Sequence, residues 1–243
     1  MLRQHTIHIG TSGWSYKHWR GTFYPENIKV KDHFRYYREH FNTVEINNTF
    51  YRLPKKETFM QWKTQVAEDF VFIIKASRYI THMKKLHDPE ESTSLFLDHA
   101  RLLGKKLGAI LFQLPPSLKA DVGLLEKFIA QLPEVHRYVF EFRHPSWYDD
   151  AVYDLLNKYN CAFCIYELDG HQSPVVATAD FVYVRLHGPG RKYQGSYSDA
   201  ALQSWAALCK GWAKSKDVFV YFDNDEKGYA AFNALKLKEL THE

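Results

Sequence analysis

Residues 138–144 read Tyr138-Val139-Phe140-Glu141-Phe142-Arg143-His144. The run opens as an apolar, β-prone segment and gathers its charge only toward the C-terminal end. Side chains alternate along a strand, so Glu141 and Arg143 share one face while Phe140 and Phe142 share the other. A strand that is apolar for most of its length and polar at its tip belongs in a parallel sheet covered on both faces. In such sheets functional groups collect at the strand ends.

Seven further segments read the same way: Ile7–Thr11, Thr43–Asn47, Phe70–Lys75, Gly108–Leu114, Ala162–Glu167, Phe181–His187 and Val218–Asp223. Helical patterns separate them. Lys31–Phe41, Lys55–Ala67, Ser146–Tyr159 and Gly228–Leu240 carry apolar stripes, and Asp121 caps a helix that Pro133 follows. Ser92 or Thr93 opens another helix that Gly104 closes, and Ser198 precedes Leu202, Trp205, Leu208 and Trp212 at helical spacing. Strands alternating with helices predict an α/β fold with right-handed crossovers. Eight repeats in 243 residues match a single (β/α)8 TIM-like barrel spanning residues 1–243. The connection Leu168–Asp180 has no helical stripe, so the sixth helix is expected to be short or replaced by a turn. No G-x-G-x-x-G follows the first strand, which argues against a dinucleotide-binding open sheet.

Composition bounds the function. Apolar residues make up 45% of the chain and charged residues 25%, and 32 basic against 28 acidic side chains leave a net charge of +4. That excess is too small to argue for nucleic acid by itself. No apolar run is long enough to cross a membrane. The opening Met1-Leu2-Arg3-Gln4-His5-Thr6 has no signal-peptide apolar region and leads straight into the first strand, so a cytoplasmic protein is expected. Three cysteines fit a reducing compartment. Cys161 and Cys164, three apart on a strand, point to opposite faces and read as core residues rather than a metal or redox pair.

The barrel reading turns strand alternation into a list of site residues. Strand ends carry Glu45 with Asn47, Lys75, Gln113, Glu141 with Arg143 and His144, Arg185 with His187, and Asp223 with Asn224. The interleaved Ile46, Phe142 and Leu186 suit the helix-packed face. One or two such pairs are explained by an ion-pair layer filling the barrel; six polar strand ends are more than that layer needs. All of them are expected to converge on one pocket. Trp14, Tyr16 and Tyr51 follow strands one and two, and Trp147 follows strand five; such rings stack on a sugar or a base or else pack the rim. After strand seven, Gly188-Pro189-Gly190-Arg191-Lys192-Tyr193 sets glycines and two cations where TIM barrels commonly hold phosphate. His33, His40, His87, His99 and His136 read as surface or helix positions.

At these residues the chain resembles the YecE-like family, domain of unknown function 72, nearly end to end. The resemblance is carried by Gly10-Thr11-Ser12-Gly13-Trp14-Ser15-Tyr16, Glu45-Ile46-Asn47-Asn48-Thr49-Phe50-Tyr51, Lys75-Ala76-Ser77-Arg78 and Gln113-Leu114-Pro115-Pro116. Glu141-Phe142-Arg143-His144-Pro145-Ser146-Trp147, Arg185-Leu186-His187-Gly188 and Tyr221-Phe222-Asp223-Asn224 complete it. It implies a TIM barrel with a site at these motifs and names no reaction. Ser77 stands where the family often has Pro, and Asp223 where an Asn is common.

Three functions remain open. The first is an enzyme acting on a phosphorylated or polyanionic ligand, by phosphodiester or nucleic-acid chemistry. Glu45, Glu141, His187 and Asp223 would then be the catalytic groups, Arg143 and Arg185 would hold the anion, and Asn47 and Asn224 would orient it. The second is a carbohydrate-active enzyme using Glu45 and Glu141 as its two carboxylates. The third is a non-catalytic ligand-binding barrel. A raised carboxyl beside an ionised one would favour acid–base chemistry over binding alone. No cofactor is expected. A divalent metal would have to draw on Glu45, Glu141, His187 and Asp223 against the charge of Lys75, Arg143 and Arg185. The expected partners are a small phosphate, a sugar or nucleic acid, with no membrane.

Overall fold

The strand-forming runs become strands in the computed structural model, which describes residues 5–242. Met1–Gln4, read above as leading into the first strand, lies outside the described residues. The strands are β1 (Ile7–Thr11), β2 (Thr43–Ile46), β3 (Val71–Lys75), β4 (Leu107–Leu114), β5 (Tyr138–Phe142), β6 (Ala162–Leu168), a short β7 (His171–Gln172), β8 (Phe181–Leu186) and β9 (Asp217–Phe222). The helices are α1 (His33–His40), α2 (Asn48–Tyr51), α3 (Lys56–Gln65), α4 (Glu90–Ala100), α5 (Val122–Ile129), α6 (Asp150–Lys158), α7 (Asp199–Trp212) and α8 (Tyr229–His242). The sheet runs in the order β1-β9-β8-β6-β5-β4-β3-β2, with β7 paired to β6. The fold class is α/β, a nearly closed TIM-like barrel of eight parallel strands with surrounding helices. No helix among the described residues is long and apolar enough to cross a membrane. The chain divides into two compact units.

The first unit comprises the described residues up to Glu45, Ile165–Val175 and those from Asp180 onward. Its register sets side chains in rows. His8 pairs with Phe219 and Phe219 with Tyr183; one step on, Gly10 pairs with Tyr221 and Tyr221 with Arg185. Among the described residues β1 and β2 are joined by a bridge between Ser12 and Glu45, where the Gly13 N–H donates to the Glu45 carbonyl at 2.8 Å. Below that bridge a side chain replaces the backbone ladder. The Tyr37 hydroxyl, from α1, accepts from the Thr11 N–H and donates to the Thr43 carbonyl, both at 3.0 Å. The space exists because residue 10 is glycine: a Cβ there would lie 2.6 Å from the Thr43 carbonyl oxygen and 3.1 Å from the Tyr37 hydroxyl.

Among the described residues no helix lies between β6 and β8; the turn expected in place of the sixth helix is a hairpin. Glu167 pairs with Gln172 and Leu168 with His171. The two residues between, Asp169 (φ 54°) and Gly170 (φ 75°), are both left-handed, as a two-residue hairpin turn requires. The following segment runs back along β6, where Ser173 exchanges hydrogen bonds with Tyr166. His33 stands at a helix position, as expected. It opens α1 but is fully buried, its ring stacked on Tyr24 at 4.3 Å.

The second unit comprises Ile46–Cys164 and Val176–Ala179. On one face Phe112, Phe140 and Phe142 meet Phe128 of α5 and Trp147. Trp147, a candidate for the ligand-facing rim, is core: it is buried and its indole N–H donates to the Leu118 carbonyl at 2.8 Å. Asp121 caps α5 through the Leu124 N–H as expected. α4 starts at Glu90, ahead of Ser92 and Thr93, because Pro89 already supplies a fixed first turn. Gly104, with φ 59°, turns the chain inside the helical stretch that follows α4. Cys161 and Cys164 are buried free thiols, and burial pushes Cys161 up to about 12.

Tyr37→Phe keeps the ring and removes the hydroxyl that satisfies two buried backbone groups. It is expected to lower unfolding free energy by about 2–4 kcal/mol, read by urea denaturation. A loss below about 0.5 kcal/mol would mean that the strand seam is satisfied without the phenol.

Candidate functional site

In the first unit the site grows from β8. Its alternation sets Tyr183, Arg185 and His187 in one row toward the C-terminal end, and they converge on Glu45, at the end of β2. One Glu45 oxygen accepts from Ser12 Oγ at 2.6 Å and an Arg185 terminal nitrogen at 2.7 Å. The other accepts from the Tyr183 hydroxyl at 2.5 Å and Arg185 Nε at 2.9 Å. Each oxygen thus takes two donors, which fills the carboxylate. Glu45, Tyr183, Arg185 and His187 are each no more than 1% exposed. Glu45 therefore holds Arg185 in a buried pair.

Arg185 reaches on to His187 Nε2 and to Asp223 Oδ2, both at 3.3 Å. A guanidinium only donates, so His187 Nε2 accepts and its proton sits on Nδ1, which lies 2.9 Å from Asp223 Oδ2. His187 is held between a cation and a carboxylate. One row below, the Tyr221 hydroxyl meets Thr43 Oγ1 at 2.5 Å.

The network surfaces at Asp223, whose side chain is 14% exposed. Beside it stands Asp225. Burial raises the Asp225 carboxyl, the charge of Asp223 raises it further, and His18 opposes both. His18 Nε2 lies 3.2 Å from Asp225 Oδ2, while the Asp225 carbonyl accepts from the Trp19 indole at 2.9 Å. Tyr16 donates to the Ser12 carbonyl, and burial, then the nearby Asp223 and Asp225 charges, keep its phenol protonated. An ion-paired carboxylate thus stands next to one biased toward its acid form.

The loop after β8 is anchored at both ends. The Gly188 N–H donates to the Tyr197 hydroxyl at 3.1 Å, and Asn224 Nδ2 donates to the Gly195 carbonyl at 2.8 Å and to Asn233 at 2.9 Å. Asn224, expected to orient a ligand, gives its amide nitrogen to this loop and to Asn233, while its Oδ1 is buried and meets no hydrogen-bond partner among the described residues. Gly188 has φ 117°, and a Cβ there would fall 2.3 Å from the Gln194 carbonyl. Between the anchors Arg191 and Lys192 are exposed, and the Tyr193 ring lies 5.6 Å from that of His187.

In the second unit Glu141 takes Gln113 Nε2 at 2.8 Å and Arg143 Nε on one oxygen, with Cys164 Sγ 3.9 Å from the other. The register that pairs Lys75 with Leu111 and Gln113 with Glu141 puts these side chains on one face. Lys75 is 8% exposed, its ammonium 4.4 Å above the Phe50 ring. His144 caps the turn at Ser146 through Nδ1. Tyr51 is exposed, Asn47 is half-buried just ahead of α2, and in the first unit Trp14 packs on Phe34. No three His, Cys, Asp or Glu side chains among the described residues are grouped to hold a metal ion. Sequence reasoning did not single out Ser12, His18 or Tyr183 as site residues, and it placed Asp225 in the polar end of the last strand without giving it a role. Asp225 was signalled by the Asp223-Asn224-Asp225 triplet, and Tyr183 by its place two residues before Arg185.

Comparison with known proteins adds the lineage. Residues 8–243 match the family described as "Protein of unknown function DUF72". UPF0759 protein YecE of Escherichia coli (strain K12) is 32% identical over 58% of this chain and 50% of its own, so the chain spans about half the length of that curated relative. UPF0759 protein YunF of Bacillus subtilis (strain 168) is 27% identical over 96% of this chain and 94% of its own. The crystal structure of a DUF72 family protein from Thermotoga maritima superposes with a TM-score of 0.88 at 30% identity, covering 98% of this chain and 100% of that one. A DUF72 family protein from Enterococcus faecalis, 20% identical, shares the fold at a TM-score of 0.83 over 98% of this chain and 96% of its own. With its motifs on the strand ends and its match running almost the whole length, the chain belongs to the DUF72 family of proteins of unknown function.

Proposed function

We propose that this protein is an acid–base hydrolase of a phosphorylated or polyanionic ligand, with Asp225 as its proton donor. The observation that carries the reading is the unequal carboxyl pair of the first unit. Asp223 is held by Arg185 and His187. Asp225 is raised by burial and by Asp223. Two carboxyls pushed apart in this way divide the roles of acid and fixed charge between them. In hydrolysis of a phosphodiester, Asp225 gives its proton to the departing oxygen as the P–O bond breaks. The hydroxyl of water ends on phosphorus, and the proton that water sheds returns Asp225 to its acid form. Asp223 supplies neighbouring charge that, after burial, favours the acid form of Asp225.

The anion contact falls to the loop rather than to Arg185, whose donors are directed at Glu45, His187 and Asp223. Arg191 and Lys192 are exposed on a glycine-shaped turn beside His187. Glu45, Arg185 and His187 act as positioning residues. Three buried free cysteines fit a reducing, cytoplasmic setting.

Asp225→Asn tests the reading on bis-p-nitrophenyl phosphate, p-nitrophenyl phosphate and short oligonucleotides. kcat is expected to fall by about 100-fold or more with KM little changed. Wild-type activity should decline as rising pH strips the Asp225 proton. No turnover of any of these phosphoesters by the wild type, or full turnover by the variant, would overturn it. Arg191→Ala with Lys192→Ala should instead raise KM about tenfold and leave kcat nearly intact.

Stability gives a second readout with the opposite sign. Folding raises the Asp225 carboxyl. Its ionised form therefore costs stability above the folded pKa, and that cost is relieved as pH falls through it. Asp225→Asn should melt higher than wild type at neutral pH, with the gain shrinking as the pH is lowered. A lower melting temperature at neutral pH would mean that the carboxylate supports the fold instead.

A further inference from the structure

We propose that His33 is an acid-sensitive latch: protonation of its buried ring releases the segment Trp19–Tyr24 from α1 and from Asp225. The latch is independent of the reading of Asp225 as a proton donor, because its test reads opening rather than turnover.

The construction starts at the first residue of α1. The His33 side chain is wholly enclosed, and neither ring nitrogen meets a hydrogen-bond partner in the protein among the described residues. What holds the ring is its face, stacked on Tyr24 at 4.3 Å between centroids and 13° between planes. Tyr24 passes the contact on. Its hydroxyl donates to the Trp14 carbonyl, and its ring lies 5.9 Å from that of Trp19. The Trp19 indole donates to the Asp225 carbonyl at 2.9 Å, and His18 Nε2 lies 2.8 Å from the same oxygen. A line of rings thus runs from α1 to the residues that follow β9. Phe23 adds edge-on contacts to Tyr36 of α1 and Phe232 of α8. The segment is also tied to itself: the Tyr24 N–H donates to the Trp19 carbonyl at 2.9 Å, and the Gly21 N–H to the Tyr24 carbonyl at 2.8 Å. It can therefore lift as one piece without breaking a strand.

Charge makes the stack conditional. A neutral imidazole stacks on a phenol much as a benzene ring would, so in the closed segment its two nitrogens only cost free energy. A protonated ring costs more, because among the described residues no carboxylate oxygen bonds to it. Arg20, from the segment itself, repels the added charge. Asp32, one residue earlier, attracts it but is shared with Arg35, 3.7 Å away. Tyr24 offers no counter-charge, since burial pushes its phenol up. Burial, then Arg20, hold His33 below the ordinary histidine value. The sign follows from that direction. As pH falls below the ordinary value, the open form takes a proton that the closed form resists, and closure weakens. Above that value both forms are neutral, and pH has no effect through His33.

The experiment compares the full chain with His33→Phe, which keeps a ring and removes the nitrogens. Hydrogen exchange of the Trp19 indole N–H, followed by NMR from about pH 7 down to about pH 5, reports opening of the segment. At any one pH the intrinsic exchange rate cancels between the two proteins, and so do the effects of His18, Asp223 and Asp225. The wild-type rate divided by the variant rate should climb about tenfold for each pH unit below the ordinary histidine value. Amides of β8 and β9 should keep a constant ratio, since the barrel itself stays closed. In the wild type the His33 ring, identified by its contacts with Tyr24, should remain neutral where a histidine in an unstructured peptide is mostly charged. The latch is refuted by a Trp19 ratio that does not change with pH, by β8 and β9 amides that follow Trp19, or by a His33 ring that titrates as the free side chain does. Should His33→Phe fail to fold, His33→Leu takes its place, and the ring titration of the wild type needs no variant.

Discussion

A guanidinium and a carboxylate, both closed off from water, form the constraint on which the first unit depends. Neither Arg185 nor Glu45 tolerates burial alone, since an uncompensated charge in such a place costs about 3–5 kcal/mol. Their pairing dictates their neighbours. Ser12 and Tyr183 fill the carboxylate positions that Arg185 leaves open. Gly10, in the row of Tyr221 and Arg185, keeps β1 close to β2. The far edge of the guanidinium then fixes His187 in one tautomer and gives Asp223 its counter-charge. The Asp225 carboxyl is raised first by its own burial and then by the charge of Asp223, the last member of that chain.

Strand alternation made much of this legible. Glu141 with Arg143, and Arg185 with His187, fall on one face as their spacing requires, while Phe142 and Leu186 fall in the apolar layer. Alternation gives the face of a side chain but not its partner. Tyr183 reads as one more apolar strand residue until its hydroxyl is seen on Glu45. His33 reads as a surface or helix position, and nothing local announces that Tyr24 will stack on it. The hairpin after β6 was visible in Asp169-Gly170, a pair suited to two successive left-handed residues. Its flanks, Glu167-Leu168 and His171-Gln172, lack the apolar alternation that normally points to such a turn.

The loop after β8 shows how the fold separates holding from reaching. Its ends are tied by Tyr197 and by the Asn224–Asn233 pair. Its middle leaves two cations in solvent. A scaffold fixed at its ends and variable between them lets ligand preference change without disturbing the charges underneath.

Tyr37 bears on the order in which the chain assembles. Thr11, Tyr37 and Thr43 lie within the first 45 residues of the chain, so the clamp joining β1 to β2 closes a short loop. The other edge of β1 pairs Ile7 with Val218 and waits for nearly the entire polypeptide. On a ribosome the β1–α1–β2 segment emerges before the other strands of the barrel and can be pinned by one phenol before those later neighbours exist. Loop-closure entropy makes that early contact cheap and the final one costly. Synthesis of this barrel would then begin at a seam made by a side chain and finish at a ladder made by the backbone.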